Sequence, residues 1–419
     1  MKEAVSGSNL RINGERLWES LMEMAKVGAT EKGGNCRLAL TDLDRDGRDL
    51  FVRWCKEAGC SIQIDKMGNI FARRPGRNDS LPPVMTGSHL DTQPTGGRFD
   101  GVYGVLAGLE VIRSLNDLNY DTEHPVEVVV WTNEEGSRFA PAMVSSGVFA
   151  GVFDLEYGLS RKDPEGKTIG QELARIGYAG DAEVGKPVHA FFEAHIEQGP
   201  ILEAEEKTIG VVTDAQGVRW YEVTVTGQES HAGPTPMDRR RDALLGAARM
   251  VDLVNRIGLE QAPSACSTVG MLDVHPNSRN VIPGRVIFTV DLRHPDDEVL
   301  ESMEAKLRQG IEEIGTGIGL EVEVERIFCY APIHFDEGCS EIVRTAAEDL
   351  GYSHRNMISG AGHDACYLSR VAPTSMIFIP CVDGISHNEV EDAKPEWVTA
   401  GGDVLLRAVL EKAGGPASP

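Results

Sequence analysis

Four short clusters in the first half of the chain combine histidine, carboxylate and glycine. They are Gly87-Ser88-His89-Leu90-Asp91-Thr92, Gly96-Gly97-Arg98-Phe99-Asp100-Gly101, Trp131-Thr132-Asn133-Glu134-Glu135-Gly136 and Glu193-Ala194-His195-Ile196-Glu197-Gln198-Gly199. Two more come late, Gly360-Ala361-Gly362-His363-Asp364 and Ser386-His387-Asn388-Glu389. Histidine and carboxylate together, with no cysteine beside them, suit zinc or a similar divalent ion. The pair His89 and Asp91 also fits an arrangement in which the acid orients the imidazole. Of the adjacent Glu134 and Glu135, one could bind metal while the other acts as a base. Each cluster has a plainer reading. A histidine is commonly just a core or surface residue, Glu-Glu a solvated charge pair, and Gly-Gly-x-Phe-Asp-Gly a turn opening a helix with Asp as its N-cap. The clusters lie far apart, so no compact motif such as H-E-x-x-H joins them.

The elements around the clusters give them a common place. Val84–Ser88 reads as a short apolar strand, and Val102–Leu115 as a helix with Val105, Leu109 and Ile112 on one face. Val126–Thr132 (VEVVVWT) is rich in β-branched residues, as a strand buried on both faces would be. Such alternation predicts an α/β sandwich on a mostly parallel sheet. Ligands bind at the carboxyl ends of strands in such sheets, and His89, Asp100, Glu134 and Glu135 fall at or just after such ends.

From about Arg219 to Arg326 the pattern changes. Strands are expected at Arg219–Thr226, Ser267–Asp273, Val286–Leu292 and Leu320–Glu325, and helices at about Arg241–Ile257 and Asp297–Ile314. The second helix spaces Leu300, Met303, Leu307, Ile311 and Ile314 along one face. The order β-α-β-β-α-β is the ferredoxin-like one. Its alternating strands predict a sheet with helices on one face only. After about Phe328 the first style resumes, with a helix near Ser340–Leu350, a strand near Thr374–Ile379 and a helix near Glu396–Lys412. The simplest reading is one catalytic domain, split in sequence by an inserted one.

The chain has 419 residues and a formal charge of −24, with 65 acidic and 41 basic side chains. That surplus argues against nucleic acid or an anionic membrane as partner. No apolar run approaches the roughly 18 residues that span a bilayer. The first residues are polar and lack a signal core, and the only low-complexity stretch is the Gly/Pro/Ser tail Gly414–Pro419. The eight cysteines contain no C-x-x-C pair and read as reduced thiols of a cytoplasmic protein.

Taken together, the segments GSHLDT, GGRFDG, TNEEGSRF, EAHIEQGP, SHAGPTPM, NVIPG, DLRH, SGAGHDA and ISHNE closely resemble the dinuclear-zinc amidohydrolases of the hydantoinase/carbamoylase family. These are relatives of aminoacylases and zinc carboxypeptidases, and the resemblance runs from about Leu17 to Leu410. It implies a zinc-peptidase-like α/β/α catalytic domain (residues 1–213 and 329–419) carrying a ferredoxin-like α+β lid and dimerisation domain (residues 214–328). It also implies two divalent ions per subunit, zinc or else manganese, cobalt or nickel. His89, Asp100 and His195 would hold one, and Asp100, Glu135 and His387 the other. Glu134 would be the general base, and Asp91 the carboxylate behind His89. Asn280 and Arg293 would hold the substrate carboxylate, with Gln198, His231 and the backbone of Gly360, Ala361 and Gly362 as further contacts and His231 stabilising an oxyanion. His363 and Asp364 receive no role.

The implied reaction is hydrolysis of the ureido C–N bond of an N-carbamoyl-L-amino acid or N-carbamoyl-β-alanine. Allantoate amidohydrolase, built on the same motifs, is the alternative. A homodimer through the insert is expected. One residue-level observation supports the carry-over: Arg293 falls with Thr289 and Asp291 on the polar side of its strand, which predicts that it is free to reach a ligand. His231, among Gly233, Pro234 and Pro236, is expected on a loop, and Arg239–Arg241 beside it as a solvated helix start.

Overall fold

Strands Val84–His89, Val126–Trp131, Ala190–Ile196 and Thr374–Ile379 are buried at every residue. In the computed structural model, which describes residues 10–414, they run parallel in the middle of one sheet. Residues 1–9 and 415–419, which hold the polar start and most of the Gly/Pro/Ser tail, lie outside the described residues. The chain divides into two compact units, Asp214–His334 and all the rest.

In the larger unit the strand order is Ser61–Ile64, Ile70–Arg74, Val126–Trp131, Val84–His89, Ala190–Ile196, Thr374–Ile379 and Ile209–Ala215. The outer neighbours correct the expectation of a mostly parallel sheet. Ile70–Arg74 and Ser61–Ile64 are added antiparallel on one side, and Ile209–Ala215 antiparallel on the other. The first addition is a hairpin, closed where the Asp65 carboxylate accepts the N–H groups of Met67 and Asn69. A turn that short joins only antiparallel strands. The expected helices are present as Val102–Asp117, Glu337–Asp349 and Pro395–Ala413, the last with proline in its first turn. Val102–Asp117 packs on Val84–His89 and against Pro395–Ala413. The last strand of the larger unit, Thr374–Ile379, thus lies in the interior of the sheet.

The smaller unit is an antiparallel sheet in the order Leu272–His275, Arg285–His294, Gly217–Thr226, Glu321–Tyr330. Helices Ala243–Glu260 and Asp297–Gly317 cover one face, over a core that includes Tyr221, Val223, Phe288, Val290, Met303 and Leu307. This is the expected ferredoxin-like order, with two local differences. The strand expected at Ser267–Asp273 is two short ones, Cys266–Thr268 and Leu272–His275, interrupted around Gly270. The last strand continues past Glu325 to Tyr330 through a bulge between Arg326 and Phe328. The extra residue moves Phe328 to the uncovered face, opposite Trp220 with ring centroids 5.2 Å apart. Among the described residues no helix is long and apolar enough to cross a membrane. All eight cysteines are free thiols.

Candidate metal centre

The parallel strands deliver their ends to one place. His89 closes Val84–His89, Glu134 and Glu135 follow Val126–Trp131, and His195 lies one residue from the end of Ala190–Ile196. His387 comes from the loop after Thr374–Ile379, and Asp100 from the turn before helix Val102–Asp117. The plainer reading of Asp100 as an N-cap does not hold. The N-cap is Gly101, with φ of 67° and no side-chain capping bond. A Cβ at Gly101 would lie 2.4 Å from the His89 ring, so only glycine lets the turn pass that close. Asp100 is thereby left free to face the histidines.

Its two oxygens face different sets. Oδ1 lies 3.2 Å from His195 Nε2 and 3.6 Å from His89 Nε2, whereas Oδ2 lies 3.3 Å from His387 Nε2. Glu135 Oε2 is 3.5 Å from that same His387 nitrogen. In each of the sets His89/Asp100/His195 and Asp100/Glu135/His387, one ligand atom per residue lies within 4.8 Å of the others. The donor chemistry fits divalent ions. His89 Nδ1 donates to the Asp91 carbonyl at 2.8 Å and His195 Nδ1 to the Ile196 carbonyl at 2.9 Å. A carbonyl only accepts, so both Nδ1 atoms carry a proton and each ring turns its Nε2 to Asp100, the nitrogen left to ligate an ion once any proton it shares with Asp100 is displaced. The Gly101 N–H also points to His195 Nε2, at 3.2 Å. The first set is buried. The second opens outward through His387, whose side chain is 51% exposed.

Such crowding shifts every acid and base here. Burial favours neutral Asp100, but hydrogen bonds from His195, His387 and His89 outweigh it and hold its carboxyl well below the usual range. Burial likewise opposes charge on His89, yet Glu134, Asp100 and Asp91 raise it well above 6.5. Glu134, buried and 3.4 Å from His89 Nε2, is pushed well above 4.5 by desolvation, with Asp364, Glu135 and Asp91 adding to the shift. Burial and Asp100 raise Glu135 to about 7. A hydrogen bond to Asp100 raises His387 to about 9. Glu134 belongs to neither ligand set.

Asp91 supports the centre in two ways. Its carbonyl, and not its carboxylate, bonds His89, since the carboxylate is 4.0 Å away and instead accepts the N–H groups of Glu134 and Glu135 at 3.2 and 3.3 Å. Gln198 donates to Asp100 Oδ2 at 2.9 Å and lies 3.5 Å from His387. Gln198, His387 and Asn133 all have left-handed backbone, with φ of 58°, 53° and 59°, which costs non-glycine residues roughly 1–3 kcal/mol each. The loop Gly360–Gly362 lies beside the centre, because the next residue, His363, packs its ring 4.5 Å from that of His195.

Several supporting residues were not singled out by sequence. Glu391 accepts the N–H groups of Phe99 and Asp100 and the Ser386 hydroxyl. Glu193 joins Ser88 to the Ala365 N–H. Gln93 donates to Glu135 at 2.7 Å. Glu391 sits two residues past the ISHNE segment, and its only sequence signal is that proximity.

In the smaller unit, His231 and Asn280 are brought together. His231 lies not on a plain loop but in a two-stranded ribbon, paired with Val281, and the Asn280 carbonyl accepts the Ala232 N–H at 2.9 Å. Arg240, expected as part of a solvated run, instead donates to the carbonyls of Ala232 and Thr235 and braces that ribbon. Arg293 is near the other end of strand Arg285–His294, about 26 Å along from Arg285 at 3.3 Å per residue. It is on the predicted face but not free: Asp291, two residues away on the same face, takes its Nε and Nη2 at 2.9 to 3.2 Å.

The profile of peptidase family M20/M25/M40 matches residues 85–411. An N-carbamoyl-L-amino-acid amidohydrolase of Rhizobium meliloti is 56% identical over 98% of this chain and 99% of its own. An allantoate amidohydrolase of Bacillus subtilis is 33% identical over 88% of this chain and 90% of its own. The crystal structure of an amidase of the hydantoinase/carbamoylase family from Burkholderia multivorans superposes with a TM-score of 0.90 at 72% identity, covering 96% of this chain and 98% of that one.

Proposed function

The chain belongs to peptidase family M20/M25/M40 and, within it, to the hydantoinase/carbamoylase amidases, and from that premise we infer that it is a metal-dependent amidohydrolase. It hydrolyses the ureido C–N bond of an N-carbamoyl amino acid, yielding the amino acid, ammonia and carbon dioxide. The observation that carries this reading is the Asp100 carboxylate, with one oxygen turned to each ligand set, beside a buried glutamate outside both.

In this reading His89, Asp100 and His195 hold one divalent ion, and Asp100, Glu135 and His387 a second, each zinc or else manganese, cobalt or nickel. Ions held there would lower the pKa of a bound water and polarise the ureido carbonyl. Glu134 takes the proton of the attacking water and delivers it to the leaving nitrogen. Desolvation raises its carboxyl above the usual carboxylate range, which makes it a stronger base than a solvated glutamate. Asp91 fixes the backbone of Glu134 and Glu135 while holding the His89 tautomer. Gln198 orients Asp100 and borders the solvent-facing side, where substrate enters. Arg293 pairs with the substrate carboxylate, sharing itself with Asp291, and the backbone of Gly360, Ala361 and Gly362 lines the substrate. His231 and Asn280 contribute polar contacts, with His231 serving the oxyanion.

The smaller unit acts as a lid and dimerisation domain. Exposed Met237, Leu244 and Leu245 beside the His231 ribbon support burial against a second copy. The separation of that ribbon from Arg293 along one strand supports its acting on the partner's substrate. Eight free thiols support a cytoplasmic location.

The test is ammonia release by zinc-, manganese- or cobalt-loaded protein from N-carbamoyl-L-amino acids, N-carbamoyl-β-alanine and allantoate. We expect kcat/KM for at least one N-carbamoyl-L-amino acid to exceed that for allantoate at least roughly tenfold, a difference of about 1.4 kcal/mol in transition-state binding. The reverse order makes the enzyme an allantoate amidohydrolase. No ammonia from any of them refutes the reading.

A further inference from the structure

Arg37 is 1% exposed and lies outside every motif named above. Burying a guanidinium is costly unless its donors find acceptors, and here Nε and Nη1 are committed to three of them. Nε donates to the Leu90 carbonyl at 2.8 Å, and Nη1 to the Val27 carbonyl and Asn35 Oδ1 at 2.6 and 2.7 Å. On the backbone, Arg37 N–H donates to Thr92 Oγ1 at 2.8 Å, and its carbonyl accepts the Thr92 N–H at 3.0 Å. Both bonds grip the turn that follows His89 and contains Asp91. Room for the stem is made by Gly47, inside helix Asp42–Glu57, where a Cβ would lie 2.9 Å from Arg37 Cδ. Glycine in a helix interior costs roughly 0.5–1 kcal/mol, so the space is kept at some expense.

The same short segment grips the other ligand-bearing loops. Asn35, which Arg37 holds, exchanges backbone hydrogen bonds with Gly96 at 2.8 and 3.0 Å, at the start of the loop that carries Asp100. Gly34 lies so close to Glu389, two residues past His387, that a Cβ there would be 2.4 Å from the Glu389 Cα. Lys32 reaches the Glu389 carboxylate at 3.4 Å. Residues 32–37 thus touch the His89–Asp91 turn and the Gly96–Asp100 loop, both in the connection from strand Val84–His89 to helix Val102–Asp117, and the His387 loop after strand Thr374–Ile379.

We propose that Arg37 is a positioning residue of the metal centre: its guanidinium fork, anchored by Val27 and Asn35 on one side and Leu90 on the other, sets the spacing between the His89–Asp91 turn and the Gly96–Asp100 loop. The proposal rests on the reading of His89, Asp100 and His387 as ligands. It requires the planar fork and not merely a positive charge, because a lysine ammonium cannot reach both sides in one geometry.

The test uses full-length Arg37→Lys and Thr92→Val, the second removing only the hydroxyl that accepts the Arg37 N–H. Zinc affinity is measured by competition with a chromophoric chelator, and kcat and KM at saturating zinc on an N-carbamoyl-L-amino acid. Supporting partners behind ligands are worth roughly 10–100-fold in metal affinity. We expect a loss in that range for Arg37→Lys and a smaller loss in the same direction for Thr92→Val. At saturating zinc kcat falls while KM stays within about threefold. Folding is checked by circular dichroism of the metal-free proteins, and if Arg37→Lys does not fold, Asn35→Ala, which removes the Oδ1 that accepts Nη1, takes its place. Wild-type zinc affinity in a folded Arg37→Lys, or in Asn35→Ala where that variant takes its place, overturns the proposal. Wild-type protein that binds zinc but hydrolyses no ureido acid refutes the functional reading and leaves the affinity arm to judge Arg37. Wild-type protein that binds no zinc refutes the ligand assignment and this proposal with it.

Discussion

Replacing Glu134 by glutamine tests the proposed chemistry at a single atom. The side chain keeps its length and shape, and the bond from its N–H to Asp91 is untouched. What is lost is a carboxylate oxygen 3.4 Å from His89 Nε2 that can take a proton. A positioned general base is worth roughly 10²- to 10⁴-fold, or about 3–5.5 kcal/mol at 1.36 kcal/mol per tenfold. Because the same carboxyl receives the proton and returns it, we expect the upper half of that range, a fall in kcat of roughly 10³-fold or more. Glu134 belongs to neither ligand set, so metal content should stay at the wild-type level. The assay is ammonia release under zinc saturation, with elemental analysis of the same sample. Turnover within about tenfold of wild type at full metal content refutes the role. A matching loss of metal would make Glu134 a ligand and also refute it. A second arm needs no substrate. In metal-free protein the carboxyl is held well above 4.5, so the folded state keeps a proton that the unfolded chain releases. Ionisation then works against folding as pH rises above that value. Glutamine removes the penalty, so the metal-free variant should melt higher than wild type at about pH 8, and the gap should close toward about pH 4.

Three further outcomes are expected. In the metal-free centre His387 keeps its proton to about 9 and Glu135 to about 7; an ion must displace both, so zinc affinity should climb from about pH 6 to about pH 9, by up to tenfold per unit for each proton released, and a flat competition titration would count against this ligand set. Arg293→Ala should lower kcat/KM on carboxylate substrates by roughly 10–150-fold, the worth of a hydrogen bond between charged groups; unchanged kinetics would remove the anchor role. Gly101→Ala should displace the His89 ring, since the added Cβ falls 2.4 Å from it; a variant with wild-type zinc affinity and melting temperature would show that the turn tolerates a side chain.

The sequence marks the histidine and acid clusters at strand ends, but the division of His89, Asp100, Glu135, His195 and His387 into two proposed ligand sets came with the resemblance to the amidohydrolase family. What positions them was not legible in sequence. Arg37 and Glu391 are ordinary residue types, and their partners lie 53 and 292 positions away, so no local pattern marks them. The last strand of the smaller unit was cut short because the bulge at Arg326 breaks the alternation that reveals strands. The Ser61–Arg74 hairpin escaped because its two strands are short, with only part of one buried. The pairing of Arg293 with Asp291 was readable: residues two apart on a strand share a face, and an acid there is the nearest partner an arginine can find.

The place of Thr374–Ile379 in the sheet has a consequence in time. It lies between Ala190–Ile196 and Ile209–Ala215, both of which leave the ribosome long before it. At roughly 5–20 residues per second, the nascent sheet keeps a one-strand gap for on the order of ten seconds or more. During that wait two strand edges rich in apolar residues face each other unpaired, the kind of edge that recruits foreign strands. The smaller unit, complete well before the gap closes, is made while its host is still unfinished. Of the residues proposed as ligands, His387 alone lies downstream of the gap. The nascent chain can therefore assemble His89, Asp100 and His195 first, and the second ligand set only as synthesis nears its end.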